Sequence, residues 1–335
     1  MKNIFKISTG LLIIAIAFTS CNNGGSSKSN SALSSNAAEK VYVAPGEHDE
    51  FYAFISGGFS GQLAVYGLPS GRLFKVIPVF SQDAEKAYGY NEETKPMLNT
   101  SFGFIPWDDA HHPDISQTNG VLDGRYVFIN GNNTPRIAKI DLTTFETTEI
   151  IEIPNSAGNH SSSYVTDNTE YVVAGTRFAV PVPQKDMSIN DYKGNFKGTL
   201  SFLKVDPEDG GMDLKFQVLM PGFDYDKAHP GRGKSHGWFF FTTYNTEEAN
   251  SLLEVNASQN DKDFIAAVNW KKIEAYVNNG GGTKMATNYA HNVYNEETHS
   301  ATSTMKKEVL MVDPSEVPGA IYFLPTPKSP HGCDV

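Results

Sequence analysis

Short runs of β-branched and aromatic residues recur along the chain, each bounded by Gly, Asn, Asp or Pro. They include FYAFISGG from Phe51, QLAVYGL from Gln62, RLFKVIPVF from Arg72, RYVFINGN from Arg125, RIAKIDL from Arg136, EYVVAG from Glu170 and LSFLKVD from Leu200. WFFFTTYN from Trp238, EVLMVD from Glu308 and AIYFLP from Ala320 continue the series. Runs of this length, with turn residues at both ends, predict strands joined by tight turns. Helical spacing of apolar residues is scarce outside Trp270 to Val277. The predicted class is all-β.

The strand pattern also repeats. Tyr52, Ala64 and Leu68 find their own residue type 74 positions on, at Tyr126, Ala138 and Leu142, so YAFISGGFSGQLAVYGL and YVFINGNNTPRIAKIDL read as two versions of one hairpin. The end of the second hairpin, AKID at Asp141, recurs as LKVD at Asp206, AAVN at Asn269 and LMVD at Asp313. Counted from Gly67, these ends are 74, 65, 63 and 44 residues apart. Four-stranded units with irregular insertions predict a β-propeller of about five blades. A large sandwich or paired β-domains would also show many short strands, and periodicity alone leaves that alternative open.

The beginning of the chain departs from this pattern. Lys2 and Lys6 precede an apolar stretch that runs from Ile7 to Phe18 and is followed by Thr19, Ser20 and Cys21. It is shorter than a membrane span of ~20 residues and reads as a leader over residues 1–21, hence an exported protein. Cys21 is the expected lipidation site, with Phe18 standing where such signals usually carry Leu. The Gly, Ser and Asn of residues 22–44 predict a flexible tether, and the strand-bearing body occupies 45–335.

With 39% hydrophobic and 12% aromatic residues, the 335-residue chain can bury a real core. Its formal charge of −11 excludes the basic footprint of a nucleic-acid binder. Beyond Cys21 only Cys333 remains, so no disulfide framework or cysteine-based metal site is available, and any metal must be held mainly by histidine.

A lone histidine is usually structural or solvated, so the nine are separated by their settings. His111 and His112, in DDAHHPDIS, precede the GRYVFIN strand; His160, in NSAGNHSSSYV, precedes EYVVAG; His331, in SPHGCDV, follows AIYFLP. Segments between blades can converge at one end of a propeller channel, and imidazoles gathered there suit copper, zinc, iron or nickel. Asp108 or Asp109 is then placed to accept the outward ring N–H of a ligand. His229 and His236, in AHPGRGKSHGWFFF, lie in a Gly-rich basic loop whose spacing fits no phosphate cradle, and a channel-end loop is expected. His48, His291 and His299 read as structural or solvated.

DDAHHPDIS, DGRYVFINGNNTPRIAKIDL, GWFFFTTYNTEEA and PTPKSPHGCDV together resemble the N-terminal propeller of nitrous oxide reductase, in particular the branch with atypical export signals. The resemblance covers roughly residues 45–335, and its specific parts are the double histidine and SPHG. It implies a seven-bladed propeller whose channel holds a sulfide-bridged four-copper cluster on seven histidines, reducing nitrous oxide to dinitrogen and water. His111, His112, His160 and His331 match four of those ligands, and Asp109 becomes the residue that orients a ligand rather than binding metal. Tyr244, Glu247 and Asp261 match a calcium-binding segment, although Ser329 stands where that pattern carries Asn.

The family's remaining ligands and its cupredoxin domain with a dinuclear copper centre find no match, so the sequence looks like a front portion, inactive alone. The family further implies a homodimer and a periplasmic electron donor, a c-type cytochrome or a cupredoxin. A different class of reading is a lipid-anchored propeller that binds a protein or glycan without catalysis, which should purify colourless. A quinoprotein-like propeller is disfavoured, because the chain has only three tryptophans and no blade-signature pattern of them.

Overall fold

The computed structural model describes residues 36–161, 164–244, 263–327 and 330–333. The expected leader, Cys21 and the expected tether up to residue 35 lie outside them. The chain divides into a unit Met1–Tyr42, in which Ala37–Lys40 form one helical turn, and a unit Val43–Val335 that carries the strands.

That second unit is a set of antiparallel meanders. The first has three strands, β1 (Phe51–Ser56), β2 (Gln62–Leu68) and β3 (Leu73–Pro78). The second runs β4 (Ala110–Thr118), β5 (Val121–Gly131), β6 (Arg136–Asp141) and β7 (Glu146–Glu152). The third comprises β8 (Tyr164–Val165), β9 (Tyr171–Gly175), β10 (Phe196–Val205) and β11 (Met212–Pro221). The fourth starts with β12 (Asp224–Pro230), β13 (Trp238–Tyr244) and β14 (Phe264–Asn269). The helix Trp270–Asn278 and a long hairpin, β15 (Thr283–Asn295) and β16 (Ser300–Val312), then intervene before β17 (Ile321–Pro325) completes it against β14. The architecture is all-β and propeller-like, as the strand runs predict.

The 74-residue repeat is a repeat of register. Tyr52 pairs with Gly67 and Ile55 with Ala64, while Tyr126 pairs with Asp141 and Ile129 with Ala138. Thus β1 corresponds to β5, and the first meander has no counterpart of β4 among the described residues. Gly67, Asp141, Asp206 and Asn269 each fall at or near the end of the corresponding strand in their own meander.

The repeated Asp or Asn has a local cause. Asp141 Oδ1 accepts the N–H of Thr143 at 2.7 Å, Asp206 Oδ1 that of Glu208 at 2.7 Å, and Asn269 Oδ1 that of Lys272 at 2.9 Å, which turns the chain out of the strand. At Gly67 a Cβ would collide with the carboxylate of Asp49, which accepts the N–H of Ser70 at 2.9 Å in place of a side chain from residue 67. Asp313 makes the same turn with Ser315 at 2.9 Å, yet it closes β16 of the inserted hairpin. Four meanders are therefore described where five strand ends suggested about five blades.

The hairpin ties the sheets together. Residues His291 to Val293 pair with β7, and Met311 and Val312 pair in parallel with β11, joining the second and third meanders, together with the short strand Val180–Pro181 beside β10, into one eleven-stranded sheet. Glu152 accepts the N–H of Ala290 at 2.9 Å, and Glu149 meets His291 Nε2 at 2.6 Å.

Burial follows position in this order. β9 is buried at every residue and apolar throughout, as expected of a strand covered on both faces, whereas β2 alternates buried Leu63 and Val65 with half-buried neighbours. Between the third and fourth meanders, Phe202 and Phe216 stack at 4.8 Å with Tyr171 edge-on to both, and Phe239 and Phe241 extend the core.

Candidate metal centre

His111 and His112 are adjacent in sequence, and a regular strand would send their side chains to opposite faces. The register explains why it does not. Ala110 pairs with Gly131 and Pro113 with Ile129, so both histidines oppose the single residue Asn130 in a bulge. Asn130 holds the arrangement: its Oδ1 accepts the N–H of His112 at 2.7 Å, and its Nδ2 donates to the carbonyl of Asn159 at 2.6 Å, beside His160. The N–H of His160 donates to Gly175 of β9 at 3.2 Å.

The three rings meet. Centroids of His111 and His112 are 4.2 Å apart, those of His111 and His160 5.2 Å, and those of His112 and His160 5.6 Å. One ring nitrogen from each lies within 4.8 Å of the others, which is a separation a metal ion or small cluster can bridge. Burial, followed by the neighbouring His111, pushes His112 down to about 3, so its ring is a neutral donor at physiological pH. His111 is also lowered, again mainly by burial.

Carboxylates stand behind and beside these rings. Asp109 Oδ2 lies 3.5 Å from His111 Nδ1 and accepts Asn132 Nδ2 at 3.0 Å. Asp224 Oδ1 receives His160 Nδ1 at 3.0 Å; a carboxylate only accepts, so Nδ1 of His160 carries a proton. Asp226, wholly buried, places Oδ1 at 3.3 Å from His160 Nε2 and 3.8 Å from His112 Nε2, and Oδ2 at 3.6 Å from His331 Nε2. Burial raises the Asp226 pKa, against the lowering effect of the His160 and His331 imidazoles and the Lys227 N–H.

The donor set fits a metal. His112 Nε2 is buried with no hydrogen-bond partner, and neutral imidazole nitrogens backed by carboxylates are the usual ligands of copper or zinc. The pair Asp224 and Asp226 was not singled out from the sequence. Its signal is an Asp-x-Asp at the start of a strand, which period two sends to one face.

Nitrous-oxide reductase of Pseudomonas fluorescens is 31% identical to the chain over 304 residues, covering 90% of this chain and 43% of that protein. The enzyme of Stutzerimonas stutzeri is 29% identical over 299 residues, with 88% and 43% covered. The chain is a relative of nitrous-oxide reductase. It spans 43% of the length of these nitrous-oxide reductases. No family model matches. Among solved structures, hydrazine synthase of Kuenenia stuttgartiensis shares 11% identity at a TM-score of 0.39 over 65% of this chain and 47% of its own.

Of the ligands that the nitrous-oxide reductase resemblance implies, His111, His112 and His160 are brought together, and the more exposed His331 reaches them through Asp226. For calcium, Tyr244 ends β13, while Glu247 and Asp261 lie outside the described residues. His236 contacts Asp167 at 3.3 Å and the Lys271 ammonium at 2.5 Å, and His291 serves the hairpin through Glu149.

Asp114, two residues past the double histidine, ties β4 to β8 by accepting the N–H of Val165 at 3.0 Å, and burial pushes its pKa up to about 6. The folded value lies above the unfolded one, so stability from this carboxyl is present in acid and lost as pH rises through about 6. Asp114→Asn should therefore flatten the pH dependence of unfolding between about pH 4 and 6, measured by denaturant midpoints. An unchanged slope would contradict the shift.

Proposed function

We propose that this chain supplies the front half of a copper centre that reduces nitrous oxide with two electrons and two protons to dinitrogen and water. The observation that carries the reading is the convergence of His111, His112 and His160 in a chain related to nitrous-oxide reductases over 90% of its length. His111, His112, His160 and His331 hold the metal as neutral imidazoles; Asp109 and Asp224 fix the orientation of His111 and His160. The relatives' greater length accommodates further ligands and the domain through which electrons enter.

Nitrous oxide is a poor ligand and kinetically inert, which is why protein acid–base groups alone do not suffice. Bound copper would supply the electrons; this chain's residues would supply a pre-oriented ligand set. The leader expected over residues 1–21 would carry the protein out of the cytoplasm, where a c-type cytochrome or a cupredoxin would feed a homodimer.

The test is a chromosomal His112→Ala replacement in the native gene, with nitrous oxide consumption followed by gas chromatography of whole cells. Consumption is expected to stop while the protein still accumulates. Unaltered consumption would remove the chain from the reaction.

A further inference from the structure

Asn130 stands where a strand has no need of an amide. Asn is depleted in strands, and a wholly buried amide costs free energy unless both its ends are bonded. It lies near the end of β5, paired with Ile137 of β6. The 74-residue repeat supplies a comparison, because Ser56 of β1 pairs with Leu63 of β2 in the same register. That ladder forms with a hydroxyl at the corresponding position, in a meander that has neither a histidine nor, among the described residues, a counterpart of β4. The two ends of the amide are instead taken up by the candidate centre. Oδ1 accepts the N–H of His112 at 2.7 Å, and Nδ2 donates to the carbonyl of Asn159, the neighbour of His160, at 2.6 Å. One partner donates and the other accepts, which an amide can meet and an ionised carboxylate or an apolar side chain cannot. Two residues on, Asn132 Nδ2 donates at 3.0 Å to Asp109 Oδ2, the oxygen 3.5 Å from His111 Nδ1. The position 74 residues before Asn132 is Gly58, so the hairpin without histidines does without both amides.

We propose that Asn130 is a positioning residue of the metal centre rather than a requirement of the sheet: its amide fixes the distance between the His112 segment and the His160 segment, and Asn132 sets Asp109 beside them. The inference rests on the reading that these histidines bind metal, and adds the device that makes two segments far apart in sequence act as one ligand set. Asn130 holds the backbone on which each ring is carried, so it acts whatever the protonation of the rings and however many metal ions they take. Groups that orient ligands in this way, without touching metal, set how much of the ligand geometry is already in place before the metal arrives.

The probe is copper added to the purified full chain, with affinity read by chelator competition and the number of bound imidazoles by X-ray absorption. Wild-type protein is expected to bind. Asn130→Ser, which installs the residue of the first meander, and Asn130→Leu, which keeps the bulk and removes both bonds, should each fold cooperatively yet bind copper about 10- to 100-fold more weakly. Their imidazole count should fall below that of the wild type, a change that a general loss of stability does not produce.

Glu149→Gln is the control. Glu149 is buried on β7 and accepts the N–H of Met212 at 3.0 Å as well as meeting His291, so this variant should melt at a lower temperature and still bind copper as the wild type does. Wild-type affinity and imidazole count in both Asn130 variants would overturn the role of Asn130 while leaving the histidines in place. An equal loss of affinity in Glu149→Gln, or failure of both Asn130 variants to fold, would overturn it as well, because the amide would then serve the sheet. Failure of wild-type protein to bind copper would overturn both this inference and the metal-centre reading beneath it.

Discussion

Arg136→Ala should destabilise the protein by about 3–5 kcal/mol, the usual cost of breaking a buried ion pair from one side. Arg136 is fully buried, as is Asp108, whose Oδ2 lies 3.7 Å from the guanidinium. The guanidinium also donates to the carbonyls of Ile105 at 3.0 Å and Trp107 at 2.9 Å, donates through Nε to Thr134 Oγ1 at 2.7 Å, and lies over the ring of Phe80. Asp108 in turn accepts the N–H groups of Asn133 and Thr134, and its carboxylate fills the space that a side chain at Gly131 would need. One buried pair thus fixes the segment immediately before the double histidine.

Removing the arginine leaves Asp108 charged and unpaired, with burial already raising its pKa. The check is the denaturant midpoint of Arg136→Ala against Arg136→Met combined with Asp108→Leu. The double variant should lose less than the single one, because no isolated charge is left buried. Equal losses would mean that the guanidinium acts only through its backbone contacts.

His160→Ala should reduce metal affinity at least about 100-fold, whereas Asp224→Asn, which only loosens the ring, should cost nearer 10-fold. His160 is the ring that joins the two halves of the site: it lies within ring contact of both His111 and His112 from β4, and its two nitrogens face Asp224 and Asp226 from β12. Loss of the ring therefore removes a donor and separates the two strands' contributions. Chelator competition on the purified variants gives the ratio, and equal affinities for the two would place His160 outside the ligand set.

Much of this was legible in the sequence. The bounded apolar runs became strands, and the 74-residue match of Tyr52 with Tyr126 proved to be an identity of register. His111 and His112 came to lie near the start of β4 and His160 outside the strands, and their three rings meet. The blade count was less legible, since the Asp that marks a strand end reports a local turn, and Asp313 makes that turn at the end of a hairpin that joins sheets.

The bulge that turns both His111 and His112 to one side was hidden too, because it depends on Asn130 across the ladder. Asp224 and Asp226 were missed for a related reason. Their meaning comes from the ring of His160, more than sixty residues earlier in the chain, so the Asp-x-Asp spacing alone places them on one face without saying what they meet.

The most direct measurement of the central claim, that these histidines form a copper site, is copper X-ray absorption on the purified protein loaded with the metal. At least three imidazoles should appear through their outer-ring scattering, and the count should fall in His112→Ala. A shell of oxygen scatterers with no imidazole pattern would show copper held elsewhere on the acidic surface, and the site at His111, His112 and His160 would not be a copper centre.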